Sequence, residues 1–142
     1  MIGLDPPQLF SEWRSQARAL LAADVDPAGV SWDGAGLFAE PLPQAADRDV
    51  RKVSAAYFKL AETLFMHRDP ARLGLLYRLL WRLGRAPRLL DDASDADVAH
   101  ARRLAQGVRR DIHKMRAFVR FREITTDGET CHVAWYEPDH RI

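Results

Sequence analysis

Residues 71–84, ARLGLLYRLLWRLG, decide how the rest of the chain has to be arranged. Leucines and aromatics stand at 73, 75, 76, 77, 79, 80, 81 and 83, so a helix here has almost no polar side. Such a helix is stable only when other elements cover most of it, which puts it at the centre of a core. Gly84 and Pro87 stop it, and Asp69-Pro70 supplies an acidic cap followed by proline at the first helical position.

Outward from that segment the chain reads as further helices. Residues 7–23 carry Leu9, Phe10, Trp13, Ala17, Leu20 and Leu21 at helical spacing, with Pro6 and Pro7 before them and Asp26-Pro27 beyond. Residues 28–46 hold Gly29, Gly34, Gly36, Pro41 and Pro43 and read as a connector, with one extended piece at Val30-Ser31-Trp32. Asp47 or Asp49 is expected to cap a second helix bearing Val50, Val53, Tyr57, Leu60 and Leu64 on one stripe, broken by His67 to Pro70. A fourth helix starts at Ser94 or Asp95 and ends near Met115 or Arg116. The apolar period then changes from helical to alternating. Asp127-Gly128 between FVRFREITT and ETCHVAWYE signals a β-hairpin over 117–137, pairing Phe121 with Ala134, Glu123 with His132 and Arg120 with Trp135.

The expected fold is therefore α+β and mostly helical: an N-terminal helix 7–23, a connector 28–46, a helical core 47–116 and a C-terminal β-hairpin, within one domain spanning 1–142. A two-stranded ribbon is marginal in water by itself. The hairpin must pack on the helices or pair with strands outside this sequence, which would make this an incomplete, truncated domain. With 142 residues, 47% apolar and 29% charged, the composition is that of an ordinary globular protein. No apolar run reaches the ~18–20 residues that span a bilayer, so no membrane partner is expected. MIGLDPPQLFSEW has neither the basic nor the apolar region of a secretory signal, and a cytoplasmic location is expected. One cysteine, Cys131, cannot form an internal disulfide or by itself hold zinc or an iron–sulfur cluster.

Charge is distributed unevenly. The net is +1 overall, but residues 102–122 hold Arg102, Arg103, Arg109, Arg110, Lys114, Arg116, Arg120 and Arg122 against Asp111 alone, a local +7. Residues 1–49 carry −5 and residues 123–142 carry −4. Either the acidic ends fold back on the basic segment, or that segment faces a ligand. On the fourth helix an apolar stripe Val98, Ala101, Ala105, Val108, Ile112, Met115 leaves Arg102, Arg109, His113, Arg116, and further round Arg103, Arg110 and Lys114, on the side away from the core. Arg120, Arg122 and Trp135 share one face of the hairpin by alternation. A basic groove with an aromatic platform suits a nucleic-acid backbone, and arginine, 18 against 3 lysines, suits bidentate phosphate contacts. The plainer alternatives are a solvated helix face and a structural cation–π pair between Arg120 and Trp135.

Catalytic chemistry finds little support. His67, His100, His113, His132 and His140 show no metal-ligand spacing. Asp111 and His113 point to different faces and form no dyad, and Asp111 is expected to pair with an arginine a turn away or with a neighbouring helix. Cys131 has no base beside it in sequence and reads as a buried, inert thiol. Gly34 and Gly36 do not make a phosphate loop. The acids at 91, 92, 95 and 97 read as a helix start complementing the helix dipole. No catalytic residue, metal or cofactor is assigned.

HRDPARLGLLYRLLWRL (67–83), VRRDIHKMRAFVRFRE (108–123) and VAWYEPDHRI (133–142) resemble a bacterial family labelled probable DNA metabolism protein, over roughly 48–142; FSEWRSQARALL (10–21) and VSWDG (30–34) are similar to its N-terminal start. Members of that family are encoded beside a radical S-adenosylmethionine protein linked to DNA modification or repair. In some, the domain is fused ahead of a uracil-DNA glycosylase-like domain. Family members continue well past the EPDH motif, and their activity is not established, so the resemblance transfers no catalytic residue. It implies an accessory DNA-binding role in DNA repair or modification, not an enzyme in this chain alone. The alternative is a protein–protein adaptor that docks the radical enzyme or the glycosylase domain. The expected nucleic-acid contacts are Arg102, Arg103, Arg109, Arg110, Lys114, Arg116, Arg120 and Arg122, with His113 and Trp135 secondary.

Overall fold

The computed structural model describes residues 1–34, 36–44, 52–118, 120–126, 129–135 and 140, and from 117 to 135 it describes the backbone alone. Its helices are α1 (Phe10–Ala22), α2 (Ala55–Phe65), α3 (Arg72–Leu83) and α4 (Ala96–Phe118). The architecture is mostly helical, with a short parallel pair, β1 (Ile2–Gly3) and β2 (Val30–Ser31). Backbone pairing also joins β3 (Arg120–Thr126) to β4 (Glu129–Trp135) in antiparallel register, Arg120 opposite Trp135 and Glu123 opposite His132. Asp127 and Gly128, on which the turn was expected, lie outside the described residues, as do 45–51 with Asp47, Asp49 and Val50.

The leucine-rich helix takes the central place its composition requires. Leu73, Leu75, Leu76, Tyr77 and Leu79 of α3 are buried, against Leu60, Ala61 and Leu64 of α2 and Val98, Ala101 and Ala105 of α4 in one core. α1 adds Trp13, Ala17 and Leu20. Trp32, just after β2, lies 6.2 Å from both Trp13 and Tyr77, ring centre to ring centre. Gly74 of α3 lies against that indole, where a Cβ would stand 3.6 Å from Trp32 Cδ1, at ordinary contact distance. Two phenols find carbonyl partners inside: Tyr57 donates to Leu76 O at 2.8 Å and Tyr77 to Val25 O at 2.6 Å. Burial pushes both phenols well above their ordinary pKa, so they act as donors and not as acids.

Several boundaries differ from the sequence expectation for identifiable reasons. α1 begins at Phe10 and not at residue 7, because the Glu12 carboxylate reaches back to accept from the Gln8 and Leu9 N–H groups at 2.9 and 3.4 Å. It ends on Asp24 in the left-handed region (φ 55°), with Val25 N–H bonded to Leu20 O at 3.0 Å. α2 is capped by Ser54, whose Oγ accepts from Tyr57 N–H at 3.2 Å, and not by Asp47 or Asp49. Val53 therefore lies before the helix and is exposed. Asp69 accepts from Ala71 N–H at 2.9 Å in the turn leading into α3, so the helix proper starts at Arg72, past the Pro70 expected at its first position. β1 has no counterpart in the sequence reading. Two residues show no alternation, and Ile2 is recruited only because β2 offers it a partner at Val30 and Glu40 a second bridge.

The acids before α4 also do more than complement a helix dipole. Asp95 caps α4, accepting from Asp97 and Val98 N–H at 3.0 and 3.1 Å. Arg82 of α3 donates to Asp95 and Asp97 at 3.0 and 3.1 Å, and Arg78 makes two 2.9 Å bonds to Asp97. These bonds tie α3 to the start of α4. The Arg82 guanidinium, with the Val98 and Asp97 N–H groups, holds the Asp95 carboxyl down at about 2, against an ordinary 3.8.

Two outcomes test this frame. Leu79→Ala, at a fully buried position, should cost about 2–5 kcal/mol in urea unfolding. A carboxyl with a depressed folded-state pKa stabilises above its unfolded value, and that stability goes as pH falls from 3.8 toward about 2. Urea midpoints across that window should drop in the parent and drop less in Asp95→Asn; equal slopes would show that the ion pairs contribute nothing.

Candidate nucleic-acid interface

α4 is amphipathic in an unequal way. Val98, Ala101, Ala105 and Val108 are buried as expected, but Ile112 and Met115 are only half-buried. Asp111 takes the buried place beside them, at 5% exposure. The opposite side bears Arg102, Arg103, Arg109, Arg110, His113, Lys114 and Arg116, all exposed. By the 3.6-residue repeat these positions cover roughly 160° of the helix surface. None of the six cations enters an ion pair among the described residues, where the pairs run Arg78–Asp97, Arg82–Asp95, Arg82–Asp97, Arg88–Asp91 and Met1–Glu40. Arg102 is partly engaged, one guanidinium nitrogen donating to Leu90 O. Arg120 and Trp135 face each other across β3 and β4 by backbone register, with Arg122 two residues on; the side chains of all three lie outside the description.

Three acids near this face are engaged elsewhere among the described residues. Asp95 and Asp97 are held by α3, and Asp111 turns inward, its Oδ2 accepting from the His140 N–H at 2.9 Å. The His140 N–H, far along the chain, is a partner for Asp111 that sequence spacing did not offer.

His140 belongs to a polar junction that no sequence spacing pointed to. The His67 and His140 rings lie 4.1 Å apart at 36°. His67 Nδ1 accepts from Asp69 N–H at 2.9 Å, and His140 Nδ1 accepts from Arg68 N–H at 3.3 Å. Arg72, buried at 5% exposure, braces the same loop, donating to Phe65 O at 2.7 Å and to Asp69 O at 3.1 Å. The residues that meet here, His67, Arg68, Asp69, Asp111 and His140, all fall within the stretches quoted above for the family resemblance. That shared membership was the available signal. Burial, the neighbouring His140 and the Arg68 and Arg72 charges lower the His67 pKa below 6.5, with Asp69 opposing.

No group of three or more His, Cys, Asp or Glu suited to a metal ion occurs among the described residues. A cleft of about 520 Å³ between α1 and α2 is lined by Phe10, Trp13, Tyr57 and Phe58 with Arg14, Arg18 and Lys52. No carboxylate, imidazole or thiol stands among its described lining residues, and Arg14 lies over the Phe58 ring at 4.9 Å. No helix among the described residues is long and apolar enough to cross a membrane.

Residues 70–142 match the model of a family described as a domain of unknown function, DUF4130, and the chain belongs to that family. The match takes in α3, α4 and the segment that ends in EPDHRI, hence the cationic face together with His140. No curated protein and no solved structure matches the chain.

The junction has a pH signature. A histidine whose folded-state pKa is lowered takes up a proton more readily when unfolded, so between the lowered value and 6.5 stability rises with pH. Melting temperatures on either side of 6.5 should fall toward acid in the parent and fall less in His67→Gln; an unchanged dependence would remove His67 as its source.

Proposed function

We propose that this domain binds nucleic acid through the exposed face of α4, continued by the strand that carries Arg120 and Arg122, in an accessory role in DNA repair or modification. The observation that carries the reading is a set of six exposed cations on one helix with no carboxylate of the described chain against them. Self-repulsion among them disfavours the isolated domain, and a polyanion removes that repulsion while releasing its own counterions. Arginine supplies most of the positions and forms forked contacts with phosphate oxygens. Contacts to phosphate carry no sequence information by themselves, so the expected binding follows the phosphate chain and is weakly selective in sequence. The resemblance to proteins labelled for DNA metabolism supports DNA as the polymer.

Fluorescence anisotropy with a labelled oligonucleotide tests the reading. Some 5–7 phosphate contacts give a log–log salt slope near −5. Arg109→Ala together with Arg110→Ala should weaken binding and flatten that slope by about 2. An unchanged slope would exclude the patch. No binding at low salt, combined with capture of an acidic protein partner, would favour the adaptor role instead.

A further inference from the structure

The His140 imidazole stands over the one glycine of α4. A side chain at Gly107 would begin 3.6 Å from His140 Nε2, so the missing Cβ leaves a notch between helix and ring. His140 Nδ1 accepts the Arg68 N–H, which obliges the neutral ring to carry its proton on Nε2. That nitrogen is therefore a donor at the notch, where it could meet an acceptor. The ring is held by its tilted contact with His67 and by the Arg68 N–H, and its backbone is held by the bond from its own N–H to Asp111. On α4 the positions one turn either side of Gly107 are Arg103 and Arg110, with Lys114 a further turn on, all exposed. Asp111, the acid nearest the notch on this helix, is turned inward to the His140 N–H.

We infer that the Gly107–His140 notch is a phosphate subsite of the cationic face, in which the Nε2–H of His140 donates to a phosphate oxygen and Arg103, Arg110 and Lys114 neutralise its charge. The inference rests on the nucleic-acid reading and adds to it a fixed point of registration. An exposed cationic face sets affinity, whereas a donor held by a backbone N–H and a neighbouring ring sets where one phosphate sits. It also gives Gly107 a purpose. Glycine within a helix is about 1 kcal/mol less favourable than alanine, and alanine would fit here at ordinary contact distance.

The test uses the whole chain with a labelled oligonucleotide and, separately, inorganic phosphate. His140→Phe keeps a ring on His67 but has no N–H. At a pH well above the ordinary imidazole range the substitution removes a donor and no charge, so binding should weaken about tenfold at every salt concentration with the salt slope unchanged. Gly107→Ala, which fills the notch, should also weaken binding while its melting temperature stays level or rises. In the parent, inorganic phosphate should shift the His140 Nε2 resonance. Both variants binding like the parent, while Arg109→Ala with Arg110→Ala still flattens the slope, would sink the notch and leave the nucleic-acid reading standing. An oligonucleotide that fails to bind the parent at all would sink the reading itself. The phosphate titration then judges the notch alone, which fails if the resonance stays put.

Discussion

A helix with leucine or an aromatic at eight of its twelve positions cannot face water on any broad side. The burial of α3 is the constraint from which the rest of the arrangement follows. α1, α2, α4 and Trp32 are placed by the need to cover it, and each does so with its own least polar face. What remains on the outside is fixed by subtraction. Once α4 commits Val98, Ala101, Ala105 and Val108 to α3 and α2, its arginines have nowhere to go but outward.

The same packing sorts the acids from the bases. Arg78 and Arg82 lie on the partly exposed edge of α3 and take Asp95 and Asp97, which fixes the start of α4 against α3. Such half-exposed pairs add little stability each, but their placement matters for charge. They remove from circulation the two carboxylates that stand just before the basic stretch. Asp111 is removed in another way, by burial and a bond from the chain's far end. The charge on the outer face of α4 is thus a product of tertiary pairing as much as of composition.

The His67–His140 junction links that face to the loop between α2 and α3. Two imidazoles with their Nδ1 atoms occupied by backbone N–H groups are rigid and present donors, which is poor chemistry for a metal ligand and good chemistry for an oxyanion. Arg72 contributes from beneath by satisfying the C-terminal carbonyl of α2 at Phe65. A residue whose charge invites a functional reading thus serves here as scaffold, while His140, which the sequence left without a role, reaches the candidate surface.

Local pattern was enough to find α1, α3 and α4, the connector with its extended piece at Val30 and Ser31, and the division of α4 into an apolar and a basic side. All of these depend on side-chain spacing within one segment, and a helix has the same period wherever it packs. Helix starts were less legible, since Ser54 competes as a cap with Asp47 and Asp49, equally good in isolation, and the reach of Glu12 back to Gln8 and Leu9 has no sign in the prolines before α1. The pairing of β1 with β2 and the capture of Asp95 and Asp97 by α3 were beyond local reading. So was the meeting of His140 with Arg68, 72 residues apart. Spacing says which face a residue takes and leaves open which distant segment comes to lie against it. That depends on how loops return the chain around α3, and the path becomes definite only once the whole core is packed.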